Sequence, residues 1–320
     1  MQDTPNTFDT PLAGLGKADW LTRLADIAEH RGHFQPLGRK HLATFVDEGA
    51  TLLVSFETIQ GIRTLSDTAQ PLGWELTRAL GWSSLSIISE GDTWFRDRAV
   101  FGYFDRLIDD GFFEEFERVI FYGAGPCGYA AAAFSVASPG ATVVAIQPQA
   151  TLDPRVTEWD DRFVELRRTS FTDRYGYAPD MLDAADHAFV IYDPEVELDA
   201  MHAALFTRPN VTKFRARFMG SSIQSELLDL QILFRLLAKA GNDKLDVQSF
   251  ATLMRARRNH PPYLRGLLAA LDRADRPYLA TMMCRNILKR QDNAPRFARR
   301  LAQLEREARD GNITIPPARP

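Results

Sequence analysis

Cysteine is scarce in this chain of 320 residues, which has only Cys127 and Cys284. Neither belongs to a CxxC pair or a Cys/His cluster, so the sequence predicts no disulfide framework and no zinc site. Two isolated thiols suit a reducing compartment, and we expect a cytoplasmic protein. The first residues, MQDTPNTFDTPLAGLG, have neither the charged region nor the apolar region of a signal peptide.

An overall excess of positive charge is also lacking, because the net charge is −4, so composition gives no general attraction to nucleic acid. Residues 251–300 are the exception, with twelve Lys/Arg against three Asp/Glu. A solvated helical surface explains such a stretch, and a binding surface for an acidic partner is the alternative. The arginines that would form it are Arg255, Arg257, Arg258, Arg265, Arg296, Arg299 and Arg300.

A long apolar run that would span a membrane is absent as well. The longest stretch without charge is 119–152, and Gly and Pro interrupt it at Gly123, Pro126 and Pro139, among other positions. This pattern indicates a buried strand, a turn, a helix of small residues and a second buried strand. We therefore predict no transmembrane segment.

Short apolar runs alternate with helical periodicity along the first two thirds of the chain. We predict strands at 51–56, 83–89, 118–123, 141–148, 187–193 and 211–216. Strands that alternate with helices form a mostly parallel sheet covered by helices on both faces, so the fold class is α/β. We expect a disordered tail at 1–16, the α/β domain at 17–222, a helical extension at 223–312 and a tail at 313–320.

The segment IFYGAGPCGYAAAAF permits two interpretations. Its glycines Gly123, Gly125 and Gly128 match G-x-G-x-x-G, which binds the pyrophosphate of FAD or NAD at a helix N-terminus. The next strand, however, is followed by Gln147 and Gln149, where an acidic residue would hold the ribose. A nucleophile elbow of the form G-x-S-x-G is the second interpretation.

The second interpretation extends over more of the sequence. The chain resembles a family of α/β-hydrolase-like proteins found with bacterial surface-polysaccharide genes, which carry YGSSMGGYAAL and then a strand ending in SPQ.S.DP. Here Tyr122-Gly123 and the run GYAA at 128–131 match the first motif, and QPQATLDP at 147–154 matches the second. Trp159 and Arg162 follow, as in the family. The resemblance covers about 50–225 and implies an α/β-hydrolase-like fold.

The same resemblance leaves two of three catalytic positions empty. The nucleophile position falls on Gly125, and the loop at 218–222, where the histidine is expected, contains none. Asp193 matches the acid position, although an Asp before Pro also caps turns. Cys127 would lie in the first turn of a helix, where the dipole lowers a thiol pKa, although a packed core residue is the simpler explanation. We expect a catalytically degenerate protein that acts by binding.

The ligand pocket is predicted from the same alignment of elements. The loop after the first predicted strand corresponds to an oxyanion loop, and the elbow follows the third. The resemblance implies an acyl or sugar ligand, with surface-polysaccharide or acyl-group metabolism as the context, and no cofactor unless the FAD or NAD alternative holds. The expected pocket residues are Glu57, Thr58, Gly61, Trp94, Arg96, Gly123, Ala124, Gly125, Pro126, Gln149 and Ser221.

Overall fold

The computed structural model describes residues 8, 10–166, 168–291 and 293–317. They form two compact units that divide between Met254 and Arg255. The first unit contains an eight-stranded sheet made of β1 (Gly32–Leu37), β2 (His41–Val46), β3 (Thr51–Thr58), β4 (Ser83–Ser89), β5 (Arg118–Ala124), β6 (Thr142–Ile146), β7 (His187–Tyr192) and β8 (Val211–Arg215).

The strands are ordered β1-β2-β4-β3-β5-β6-β7-β8. Strand β2 runs antiparallel to both of its neighbours, and all pairings from β4 to β8 are parallel. This is the strand order of the α/β-hydrolase fold, with β5 in the middle of the sheet. The predicted fold class is therefore confirmed, and the six predicted strands correspond to β3–β8.

The hairpin of β1 and β2 was not predicted. Pro36 lies within β1 and pairs with Leu42, and a proline ordinarily argues against a strand. It is tolerated here because β1 is the edge strand of the sheet, where one side of the backbone needs no partner.

Helices cover both faces of the sheet. In one apolar cluster, Val54 and Phe121 of the sheet pack with the helix that follows β5 and with other helices. In a second cluster, Leu42 and Ile88 of the sheet pack with the N-terminal helix. The helices of the first unit are α1 (Lys17–Arg31), α2 (Ile59–Leu65), α3 (Leu72–Leu80), α4 (Arg98–Asp109), α5 (Pro126–Phe134), α6 (Pro154–Thr157), α7 (Ala178–Met181), α8 (Glu197–Leu205), α9 (Ile223–Asp229), α10 (Leu233–Ala240) and α11 (Val247–Leu253).

Helix α5 lies close against the sheet because its buried face is made of small residues. Ala130–Ala133 are all buried. A Cβ atom at Gly128 would come within 2.9 Å of the carbonyl oxygen of Ile146, so any side chain there would push α5 away from β6. The run of alanines thus fixes the position of the helix that begins at the glycine turn.

Part of the segment expected to be a disordered tail is packed. Phe8 is buried with its ring 5.1 Å from that of Trp74, and Leu12 is buried with its backbone N–H bonded to the carbonyl of Thr68 at 2.7 Å. Residues 1–7 and 9 of that prediction lie outside the described residues. Phe8, an aromatic residue in an otherwise polar segment, is the sequence feature that could have indicated this packing.

The second unit consists of helices α12 (Pro261–Arg273), α13 (Pro277–Leu288) and α14 (Pro295–Arg309). Cys284 is buried in their shared core. Arg300 of the basic stretch forms an ion pair with Asp272 at 2.9 Å, so its charge is partly neutralised within the unit. The predicted tail at 313–320 is described only to 317, and Pro316 accepts a hydrogen bond from Arg285.

None of the helices in the described part of the chain is long and apolar enough to cross a membrane.

Candidate functional site

The glycine turn joins β5 to α5 with a sharp reversal at Gly125. Its backbone has φ 57° and ψ −126°, a region that residues with side chains rarely adopt. Position 123 must be glycine, because a Cβ there would overlap the carbonyl group of Cys127. A Cβ at Gly125 would meet no atom within 4 Å. The turn thus has the geometry of a nucleophile elbow, with open space where the nucleophile would project.

Pro126 follows directly at the first position of α5. In a serine hydrolase the backbone N–H of this residue, next to the nucleophile, supplies one donor of the oxyanion hole. Proline has no N–H, so this donor is missing together with the nucleophile. Pro126 is one of the predicted pocket residues, and the loss of this donor could have been predicted from its residue type alone.

Asp193 follows β7 and is buried with both carboxylate oxygens bonded to backbone. Oδ1 accepts a hydrogen bond from the N–H of Glu195 at 2.9 Å, and Oδ2 accepts one from Gly220 at 2.7 Å. Gly220 lies in the loop after β8, where a catalytic histidine was expected and is absent. The contact that a triad acid would make to histidine is therefore made to backbone, and it joins the two loops.

A buried histidine–aspartate pair does occur elsewhere at this edge of the sheet. His202 Nε2 lies 2.8 Å from Oδ2 of Asp160, and its Nδ1 accepts a hydrogen bond from the backbone N–H of Ala150 at 3.2 Å. The backbone donor fixes the proton on Nε2, which donates to Asp160. Burial lowers the pKa of His202, so the ring stays neutral with both nitrogens engaged. This pair supports the loop after β6.

The QPQATLDP segment also makes structural contacts. The Gln147 amide donates to Asp199 at 2.6 Å, and its oxygen accepts from the backbone N–H of Ile223 at 3.0 Å. The Gln149 oxygen accepts from the indole N–H of Trp94 at 3.2 Å, and both side chains are buried. The segment ties the end of β6 to α8, α9 and the loop after β4.

The guanidinium of Arg96 is used in packing, with only 1% of the side chain exposed. It donates to the Tyr129 hydroxyl at 3.3 Å and to the carbonyls of Ser170 and Arg174 at 3.1 and 2.9 Å, and it pairs with Asp173. Its hydrogen bonds hold the segment around 170–176 against α5. A role in anion binding would require these contacts to break.

A cavity of about 570 Å³ opens beside the elbow. The structure brings five of the expected pocket residues together in its wall: Glu57, Thr58, Gly61, Ala124 and Pro126. Cys127, the candidate nucleophile, lies in the same wall. Trp94, Arg96, Gln149 and Ser221 are not part of this wall, and Gly123 and Gly125 form the turn behind it. The rest of the wall consists of residues that were not predicted, among them Asp67, Glu75, Asp92, Gln224, Asp229 and Phe234.

The expected oxyanion loop forms the short helix α2. Thr58 caps it, because its hydroxyl oxygen accepts the N–H of Gly61 at 2.9 Å. That N–H is therefore occupied. Ser221 is exposed, and Ser222, which precedes α9, makes no side-chain bond to the helix.

Glu57 at the end of β3 is the buried carboxyl of the cavity wall. Its Oε1 accepts from the hydroxyl of Ser55 at 2.7 Å, and both of its oxygens accept from the backbone N–H of Leu72 at 3.2 and 3.1 Å. Burial outweighs these bonds and raises the pKa of Glu57 to about 7. The group is therefore poised to change charge near neutral pH.

Cys127 contributes its side chain to the same wall, but its thiol has no activating partner. Burial, together with the negative charges of Glu57 and Asp92, raises the thiol pKa well above its usual range. The helix dipole, which the sequence suggested would lower it, is outweighed by desolvation. Cys127 is therefore a protonated thiol and a weak nucleophile at neutral pH.

Solved structures with a similar fold include several esterases. The esterase of Pyrobaculum calidifontis is 15% identical over 71% of this chain and 89% of its own, with a TM-score of 0.44. The thermophilic carboxylesterase EstE1 from a metagenomic library is 12% identical over 76% and 98%, with a TM-score of 0.39. The capsule O-acetyltransferase of Neisseria meningitidis serogroup A is 9% identical over 61% and 91%, with a TM-score of 0.40.

No protein-family model matches the chain, and no curated protein matches it in sequence.

Proposed function

We propose that this chain binds a small molecule of acyl or sugar character in the cavity beside the elbow and does not hydrolyse esters by a serine mechanism. The observation that carries the proposal is the pair Gly125–Pro126 at the apex of a correctly formed elbow. The resemblance of the motifs around 122–131 and 147–154 suggests surface-polysaccharide or acyl-group metabolism as the setting.

The size of the catalytic deficit supports a binding role. Loss of a nucleophile or base from such a triad costs on the order of 10⁴–10⁶ in rate. Loss of one oxyanion donor costs on the order of 10²–10³. Gly125 lacks the nucleophile, Pro126 lacks the donor and the loop after β8 lacks the histidine. These losses remove the chemistry but leave the cavity, which is the part of a hydrolase that recognises its substrate.

The FAD or NAD alternative gains no support from the fold. Dinucleotide-binding sheets have the strand order 3-2-1-4-5-6, and the sheet here has the hydrolase order around β5. Gly123 is explained by its contact with Cys127 inside the turn, and Gly128 by the approach of α5 to β6. Recognition of an acidic partner by residues 251–300 remains a separate prediction.

The test has a catalytic arm and a binding arm. We expect p-nitrophenyl acetate and butyrate to be hydrolysed at the rate found in buffer, and a fluorophosphonate probe to label no residue. A stable label, or hydrolysis that Ser221→Ala abolishes, would contradict the proposal. In the binding arm, octanoate, glucose and n-hexylamine are each added during thermal unfolding. A bound ligand at about 100 times its Kd adds about 2.7 kcal/mol, or roughly 4–5 °C.

A further inference from the structure

The wall of the cavity beside the elbow carries charge of one sign. It contains no Lys, Arg or His but five carboxylates, those of Glu57, Asp67, Glu75, Asp92 and Asp229. Within the described part of the chain, only Glu75 of these five has an ion pair, with Arg78. Apolar side chains form much of the remaining wall: Phe56, Ile62, Leu65, Leu72, Leu228 and Phe234.

Glu57 distinguishes this wall from an ordinary solvated acidic surface. It is only 9% exposed, and its hydrogen-bond donors, Ser55 and Leu72, are neutral. A buried carboxylate without a cation costs free energy that a bound cation would recover. Because Glu57 lines the cavity, a ligand can reach this position.

A buried hydroxyl without a partner in the described part of the chain belongs to Tyr122, which is not part of the cavity wall. The Tyr122 hydroxyl is fully buried and has no hydrogen-bond partner among the described residues. Tyr122 pairs with Ser55 across β5 and β3, which puts it on the same face of the sheet as Glu57. Burial, and after it the negative charge of Glu57, raises the pKa of Tyr122 well above the usual value. Tyr122 is therefore neutral and offers Glu57 no compensating positive charge.

We infer that the ligand of this cavity is an organic ammonium ion with an apolar body, and that its nitrogen contacts Glu57. The inference rests on the proposed binding function and adds to it that the acyl or sugar ligand carries an ammonium group. An ammonium group offers three donors and a positive charge, and the cavity wall supplies carboxylate acceptors at Glu57, Asp67, Asp92 and Asp229. A divalent metal ion is a poorer fit, because within the described residues these carboxylates do not form a metal-binding group of three or more.

Three probes of equal chain length test the ligand class on the wild-type chain. n-Hexylamine, n-hexanol and hexanoate differ only in the charge of the head group, and their affinities are measured by calorimetry at about pH 8, where the amine is protonated. We expect hexylamine to bind at least about tenfold more tightly than hexanol, and hexanoate to bind least. Equal or tighter binding of hexanol or hexanoate would overturn the inference and leave the proposed binding function standing.

Two variants locate the contact. Glu57→Gln keeps the shape of the side chain and removes its charge, and we expect it to weaken hexylamine binding about tenfold without affecting hexanol. Glu29→Gln, on the exposed face of α1 outside the cavity, is the matched control and should change neither. Unchanged hexylamine affinity in Glu57→Gln would refute the assignment. Absence of binding by all three probes would refute the inference, and it would refute the proposed function as well if octanoate and glucose also fail to bind.

Discussion

Replacement of Glu57 by Gln should change how the stability of the protein depends on pH. Burial raises the pKa of Glu57 from 4.5 to about 7, so the folded state binds this proton more tightly than the unfolded state does. The protonated Glu57 carboxyl therefore makes its full contribution to folding stability below about pH 4.5, and this contribution is lost as the pH rises through 7. A difference of this size corresponds to about 3 kcal/mol of unfolding free energy between the two limits.

The stability of the Glu57→Gln variant should not fall in this way as the pH rises, because glutamine stays neutral and its oxygen still accepts from Ser55 and Leu72. We expect the unfolding free energy of Glu57→Gln, relative to wild type, to rise by about 2–3 kcal/mol from pH 5 to pH 8.5. Urea unfolding at four pH values measures it, and Glu29→Gln controls for a change in net charge alone. Wild-type and Glu57→Gln curves that stay parallel across this range would refute the reasoning.

Three further predictions concern the elbow, the loops and Arg96. Gly125→Ser should give no esterase activity above background, because neither histidine nor oxyanion donor is present, and its positive φ should lower stability by about 1–3 kcal/mol in urea unfolding. Asp193→Ala should leave the N–H groups of Glu195 and Gly220 without their acceptor and cost about 1–3 kcal/mol, with faster amide exchange at Gly220. Arg96→Met should lower stability by about 2–4 kcal/mol without changing the affinity of n-hexylamine, which calorimetry would check.

Much of the fold could be predicted because the central strands of a parallel sheet are apolar on both faces. The six runs predicted as strands became β3–β8, and the turn at Gly125 was found from its glycines. The β1–β2 hairpin was missed because Pro36 and the intervening polar residues resemble a loop. Edge strands need fewer apolar residues than central ones, so their periodicity is weak.

The site was harder to predict than the sheet. Glu57 and Cys127 were found because they follow strands whose order the resemblance supplied, whereas Asp67, Asp92 and Asp229 come from three separate segments. In sequence, each is a polar residue at the end of a helix or strand, which is typical of a solvated surface. Only the folded chain brings them to one cavity, and only there does their common charge become apparent.

The hydrogen bond from the Gly220 N–H to the Asp193 carboxylate affects which substitutions this chain can use during evolution. Ester hydrolysis by a serine mechanism would need a serine at the apex, a residue with an N–H in place of Pro126, and a histidine in a loop whose backbone already binds the acid. We expect none of these changes to give activity alone, and the first also strains the backbone at Gly125. We therefore expect descendants of this sequence to diversify in what the cavity binds rather than to acquire this chemistry.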